Sequence, residues 1–179
     1  MIEKLPECRS VRVEFQEGWS QTAQKTLLAF ANTIGGDLYF GITDDGITKG
    51  LSKKAVNVIS RTVQEFCRSE VEPVLIDMVS TKVISAGNCT YVLRVSVEPG
   101  EDRPYALKGK RYTGGAYVRD GSMSVTATEE EIRDMVRDSS PQPWESRLSR
   151  QTDLRFGETA DIFKKYNVSF SPAHYLRLG

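Results

Sequence analysis

The side chains best able to do chemistry are a run of basic residues in the second half of the chain. The run contains five bases and no acid: Arg103, Lys108, Lys110, Arg111 and Arg119. Tyr105, Tyr112 and Tyr117 are interleaved with them. Cationic side chains neutralise phosphates and release condensed counterions, and aromatic faces stack on exposed bases. The run therefore predicts a phosphate-contacting surface, and an ordinary solvated loop is the alternative.

A second group of bases lies on a predicted helix. Lys54, Arg61 and Arg68 are spaced by seven residues, so they fall along one stripe of the polar face of that helix. We add Lys54 and Arg61 to the predicted nucleic-acid-binding surface. The whole chain has 24 bases and 24 acids, so its net charge predicts no partner and only the local placement of charge does.

Several kinds of catalytic or metal site are not supported. The three cysteines (Cys8, Cys67 and Cys89) form no CxxC pair, and His174 is the single histidine, so the usual zinc sites are not expected. No G-x-x-x-x-G-K-[ST] loop is present to cradle a nucleotide, and no serine motif accompanies His174. The sequence predicts no cofactor and favours a binding module over an enzyme.

The cysteines and the hydropathy bear on location. Sparse cysteines in odd number suit a reducing cytoplasm, and their apolar surroundings predict that Cys67 and Cys89 are buried thiols. No run approaches the roughly 18 apolar residues of a membrane helix, and the first residues show no signal peptide. We expect a cytoplasmic protein with no membrane partner.

The elements that must position these residues follow from periodicity and capping signals. Alternating apolar residues predict strands at 11–16, 38–43, 74–84, 89–97, 116–119 and 122–125. Helices with N-cap residues are predicted over 21–34, 53–68 and 128–138. The segment 98–115 is expected to be a loop with one short strand at most.

This order predicts an α+β domain over residues 1–138. It should contain a mixed or antiparallel sheet of about five to six strands and about three helices, with a short helical C-terminal extension. Residues 139–143 read Ser-Ser-Pro-Gln-Pro and are typical of a linker. Residues 139–179 are then a linker and the start of a following region, and we expect the chain to be a fragment of a longer protein.

Several segments together resemble the Schlafen-type AlbA domain, formerly called "divergent AAA". They are Val13-Glu14-Phe15-Gln16, the stretch from Leu28 to Gly36 that reads LAFANTIGG, the stretch from Phe40 to Gly46 that reads FGITDDG, Lys49-Gly50-Leu51, Arg103-Pro104-Tyr105, and the stretch from Gly115 to Ser122. Their order and spacing match the family over about residues 7–138. The AFAN-x-x-GG element followed by G-I-x-D-D is the most specific part.

The resemblance implies the DNA-binding module of a bacterial transcriptional regulator. DNA is the first partner it suggests, and RNA stays open. By analogy with Alba-like relatives it also implies a homodimer. A different class of function is a protein-interaction or dimerisation module that uses the same surface for protein partners.

The resemblance also leaves a metal-dependent nuclease as the alternative, acting on RNA or DNA. Schlafen relatives include RNA nucleases whose carboxylates hold a divalent metal, and Glu14, Asp44 and Asp45 match part of that pattern. Converging carboxylates could hold Mg²⁺ or Mn²⁺ against a phosphodiester. Two departures weaken this reading: the family's earlier glutamate falls on Arg9, and Gln16 replaces the family's lysine.

Overall fold

The computed structural model describes residues 5–139, which belong to one compact unit that ends at Ser139. The strands are β1 (Val13–Gln16), β2 (Gly36–Phe40), β3 (Val71–Glu72), β4 (Val79–Gly87), β5 (Thr90–Val97), β6 (Ala106–Leu107), β7 (Tyr117–Asp120) and β8 (Met123–Thr126). The α-helices are α1 (Gln21–Asn32), α2 (Lys53–Ser69), α3 (Tyr112–Gly115) and α4 (Glu129–Asp138). The predicted α+β class is confirmed.

The main sheet has four strands in the order β1-β2-β5-β4. The β1 strand runs parallel to β2, whereas β2 with β5 and β5 with β4 are antiparallel. Because side chains alternate across a strand, Leu38 and Val95 share one face while Tyr39 and Val92 lie on the other. Both faces of the central strands hold buried residues, whereas the edge strand β4 is mostly exposed.

Helices α1 and α2 cover one face of this sheet. Both begin at the predicted N-caps, where the side chains of Ser20 and Ser52 accept hydrogen bonds from the third residue along. The apolar stripe of α2 is buried against the sheet at Val56, Ile59, Val63 and Phe66. Helix α1 is buried over most of its length, because the β7–β8 hairpin packs on it as well. Helix α4 then packs Ile132 and Met135 against that hairpin, after a capping box formed by Thr128 and Glu131.

The structure differs from the sequence-based expectations in two features of its strands. The predicted strand 74–84 was wrong at its start: Ile76–Met78 forms a 3₁₀ turn and the strand begins at Val79. The strands form one four-stranded and two two-stranded sheets, because β3 and β6 pair with each other away from the main sheet. The linker at 139–143 and the helical extension lie essentially outside the described residues, so the boundary at Asp138 stays a prediction.

The prediction for Cys89 was wrong. Cys67 is buried, as expected, but Cys89 is exposed. It lies in the turn between β4 and β5 with a φ of 56°, one residue before the alternating strand begins at Thr90. The apolar alternation was therefore extended one residue too far into the turn.

Asn32, the last residue of α1, is a buried polar side chain that joins distant segments. Its Nδ2 donates to the carbonyl of Tyr105 at 2.8 Å and to that of Tyr117 at 2.9 Å, and its Oδ1 accepts from the Tyr105 amide at 2.7 Å. A side-chain amide has the two donors and the acceptor that these three backbone groups require. Asn32 thereby attaches both ends of the basic loop, residues 103–119, to α1.

The glycines after Asn32 permit close contact between elements. Gly35 has a φ of 73°, which favours glycine, and the chain turns there from α1 into β2. A Cβ on Gly36 would lie 2.6 Å from the Phe30 ring and 2.7 Å from the carbonyl oxygen of Arg12. The Gly-Gly pair is therefore explained by packing and turn geometry.

Asn32→Ala should strongly destabilise the chain, because it leaves three buried backbone groups without partners. At about 1–3 kcal/mol for each unsatisfied group, we expect the free energy of unfolding to fall by about 3 kcal/mol or more. Urea denaturation of the full chain measures this. Asn57→Ala, at an exposed position of α2, is the matched control and should stay within about 0.5 kcal/mol of the wild type. Equal effects of the two changes would show that the Asn32 amide does not hold the loop.

The three cysteines should differ in reactivity. Burial raises the pKa of the Cys67 thiol to about 12, whereas Cys8 and Cys89 are exposed. At pH 8 only on the order of one Cys67 in ten thousand is then a thiolate, the form that reacts. A chromogenic thiol reagent should label Cys8 and Cys89 in the folded chain and Cys67 only in denaturant. Fast labelling of Cys67 in the folded chain would contradict its burial.

Candidate nucleic-acid interface

The basic loop is joined to the C-terminal end of α2 by the β3–β6 pair. In this antiparallel pair Val71 lies opposite Leu107 and Glu72 opposite Ala106. The ladder continues one step further, since the Lys108 amide donates to the Glu70 carbonyl at 2.8 Å. Because Glu70 is the C-cap residue of α2, the loop bases begin where the helix ends.

The basic stripe of α2 runs toward the same point. Lys54, Arg61 and Arg68 are exposed, as the seven-residue spacing predicted. The seventeen residues of α2 make it about 25 Å long at 1.5 Å each. Arg61 contacts Glu65 at 3.1 Å, but both side chains are largely exposed, so this pair holds Arg61 only weakly. The stripe and the loop together form what we call the cationic track.

A groove of about 580 Å³ lies where α1, α2 and the loop meet. Lys25, Lys108 and Lys110 line it together with one acid, Glu70. The ammonium group of Lys25 lies 5.5 Å from the centre of the Tyr117 ring, a cation–π distance that fixes the lysine at the groove. Two glutamines from the first turn of α1, Gln21 and Gln24, complete its polar lining.

Sequence reasoning missed Lys25. The signal that could have found it is that Lys25 is the one charged residue in the α1 sequence QTAQKTLLAFAN. From the sequence, a single base on an otherwise uncharged helix cannot be distinguished from a residue that only aids solubility. The fold places Lys25 in the same groove as Lys108 and Lys110, which are more than eighty positions away in the chain.

The structure separates the predicted loop bases into three environments. Lys108, Lys110 and Arg111 are exposed. Arg103 is half-buried, and its Nε is buried with no hydrogen-bond partner among the described residues. Arg119 is buried, with none of its side chain exposed. Of the interleaved aromatic residues, Tyr105 and Tyr117 belong to the core and Tyr112 is exposed.

Arg119 therefore cannot reach a phosphate, contrary to its place in the predicted surface. Its guanidinium pairs with the carboxylate of Glu14 at 3.0 Å, and donates to Ser124 Oγ at 3.0 Å and to the Ser10 carbonyl at 2.8 Å. The guanidinium carbon also lies 5.0 Å from the centre of the Phe30 ring. Burial and complete hydrogen bonding give Arg119 a structural role.

The candidate metal-binding carboxylates converge only in part. Asp44 and Asp45 are exposed in the turn after β2, and Glu14 is buried in β1. Arg9 lies between the two sites: its NH1 is 3.5 Å from Glu14 Oε1 and 3.7 Å from Asp44 Oδ1. Arg9 is the residue that replaces the family's earlier glutamate, so a cation of the chain itself lies between carboxylates that would otherwise share a metal ion.

These residues do not fit a divalent metal ion. Glu14 Oε2 is held by Arg119, and Glu14 Oε1 accepts from the Phe15 amide at 3.1 Å as well as from Arg9. A metal ion there would compete with these donors and would be repelled by two guanidinium groups. Within residues 5–139 no group of three or more His, Cys, Asp or Glu side chains is arranged to hold a metal ion.

The fold and the surface define a small α+β domain with a cationic track and a buried Glu–Arg pair. The family model described as "Schlafen, AlbA_2" matches residues 10–128, about two thirds of the chain. The chain belongs to this family, and its membership is consistent with nucleic-acid binding or with nuclease activity. No curated protein matches the chain. In residues 5–139 no helix is long and apolar enough to cross a membrane.

We expect no metal-dependent cleavage at Glu14 and Asp44. Labelled RNA and DNA incubated with the chain and Mn²⁺ should stay intact on denaturing gels, because Arg9 and Arg119 occupy the carboxylate oxygens. The Arg9→Glu variant restores the glutamate of the nuclease pattern. Its cleavage of the same RNA and DNA should be compared with that of the wild type, in which the Arg9 guanidinium lies between the carboxylates. Cleavage by the wild type that disappears in Asp44→Asn would establish the nuclease and remove our structural assignment. Asp120→Asn, at an exposed aspartate outside the site, is the control.

Proposed function

We propose that the chain binds nucleic acid, with DNA as the first partner, as a module of a transcriptional regulator. The observation that carries the proposal is the continuity of the cationic track from Lys54 along α2 to Lys108, Lys110 and Arg111. The β3–β6 pair creates this continuity. Family membership supports the same class of ligand.

The spacing of the charges suits the repeating phosphates of a nucleic-acid backbone. Phosphates along one DNA strand repeat about every 3.4 Å of helix axis, so the part of the track on α2, a helix about 25 Å long, can meet several of them. Each contact releases condensed counterions, which favours binding at low salt and weakens it as salt rises. The exposed lysines and arginines stay hydrated until they contact a phosphate. Phosphate contacts of this kind do not select a base sequence.

The buried residues of the predicted set are not needed for this function. With Arg119 assigned to the interior, the proposed contact residues are Lys54, Arg61, Lys108, Lys110, Arg111 and the newly included Lys25, and Arg103 lies at the edge of the loop. RNA as the ligand, the homodimer and a cytoplasmic location stay predictions.

Neutralising Lys108, Lys110 and Arg111 together should weaken binding to most sequences. The logarithm of affinity should depend less steeply on the logarithm of salt concentration, by roughly 0.9 per lost duplex contact and thus by up to about 2.7. Fluorescence anisotropy with a labelled duplex across a salt series measures both quantities.

The matched control neutralises three bases outside the loop, Arg12, Lys49 and Lys82, by substitution with glutamine. It should change the slope much less. If the two triple variants have equal slopes, general charge and not the cationic track governs binding. Unchanged affinity and slope in the loop variant would remove the loop from the interface.

A further inference from the structure

Tyr112 is the only exposed aromatic side chain among residues 5–139, and 43% of it is accessible. The other aromatic residues of the described chain are buried or half-buried in the core clusters. Tyr112 begins the short helix α3 and directly follows Arg111. With 43% of its surface accessible, Tyr112 can be reached by a ligand, and it lies among cations in the sequence.

The groove described above is lined by Lys110, which lies two residues before Tyr112 in the sequence. Lys25 and Lys108 contribute two further ammonium groups to the groove. At about 580 Å³ the groove is in the size range of small-ligand sites, and it is far too small to enclose a duplex. Gln21 and Gln24 supply amide donors and acceptors, the groups that a base edge or a sugar hydroxyl can bond.

These features suit an unpaired nucleotide better than a paired one. An unpaired base offers an open face to an aromatic ring, and such stacking is tolerant of sequence. In a duplex the base faces are covered by their neighbours, so only phosphates would meet the track and Tyr112 would add little. An exposed ring two residues from the groove residue Lys110 would therefore favour single strands over a duplex.

We propose that Tyr112 stacks on an unpaired base and that the groove lined by Lys25, Lys108 and Lys110 binds the adjoining phosphates. The chain then prefers single-stranded nucleic acid, or a frayed or looped segment, over a fully paired duplex. This inference rests on the proposed nucleic-acid-binding function and adds the form of the ligand and the residue that selects it. The stacking assigns Tyr112 a binding role, and the lysines bind without regard to sequence.

The test compares three ligands of equal length: a 12-nucleotide thymidine strand, the matching uridine strand and a 12-base-pair duplex. Each is titrated with the wild type, Tyr112→Ala, Tyr112→Leu and Tyr112→Phe, and circular dichroism checks that every variant is folded. Ile47→Ala, at another exposed apolar side chain, is the matched control. The thymidine and uridine strands distinguish DNA from RNA as the source of the single strand.

We expect Tyr112→Ala and Tyr112→Leu to lower affinity for the single strands by about 5- to 150-fold and to leave duplex affinity within about twofold. Tyr112→Phe should keep the wild-type preference, because phenylalanine retains the stacking face. Lys25→Gln should lower affinity for single strands and lessen its salt dependence. The Ile47→Ala chain should bind as the wild type does.

Equal losses for single strands and duplex in Tyr112→Leu would overturn the proposal, since they would mean that the ring only supports the loop. No loss for either ligand would also overturn it. In both cases salt-dependent duplex binding by the wild type would leave the proposed function standing. If the wild type binds none of the three ligands, the proposed function fails together with this inference.

Discussion

The arrangement of the charged surface depends on the side-chain amide of Asn32. Its three hydrogen bonds reach backbone groups 73 and 85 positions away in the chain. They attach the start and the end of the basic loop to the C-terminus of α1, while Gly36 lets the following strand lie against Phe30. The segment between these attachments is then short enough to hold Lys108, Lys110 and Tyr112 at the surface. A flexible loop with the same bases would lose more conformational entropy on binding a ligand.

The Glu14–Arg119 pair shows why residue type alone did not identify function. Glu14 belongs to the motif in β1 and Arg119 to the motif in β7, and these two motifs lie far apart in the sequence. The fold joins them at 3.0 Å in the interior. Loss of Glu14 would leave the buried guanidinium of Arg119 uncompensated, which typically costs about 3–5 kcal/mol. Both motifs are therefore explained by one structural contact, and the charge that Arg119 seemed to offer a phosphate is already neutralised.

How much the sequence could predict depended on how local the signal was. The starts of α1, α2 and α4 were predicted because each needs only a cap residue and an apolar stripe. The β3–β6 pair could not be predicted, since strands of two residues have no periodicity. The bases of α2 and of the loop were found separately, but their adjacency depends on that pair. Lys25 and the burial of Arg119 were missed for the same reason, because both are set by contacts between distant segments.

The balance of 24 bases and 24 acids conceals a partition of charge over the fold. Glu129, Glu130 and Glu131 lie in the first turn of α4, where carboxylates favour the helix dipole, and Asp37 pairs with Arg94 on the main sheet. The exposed bases of the cationic track have few such partners, apart from Glu65 and Glu70 beside it. At physiological salt the field of a charge fades over about 8 Å, so a ligand near the track senses chiefly the charges that lie close to it. A neutral chain can therefore present a positive surface, provided that its fold keeps the two signs further apart than this distance.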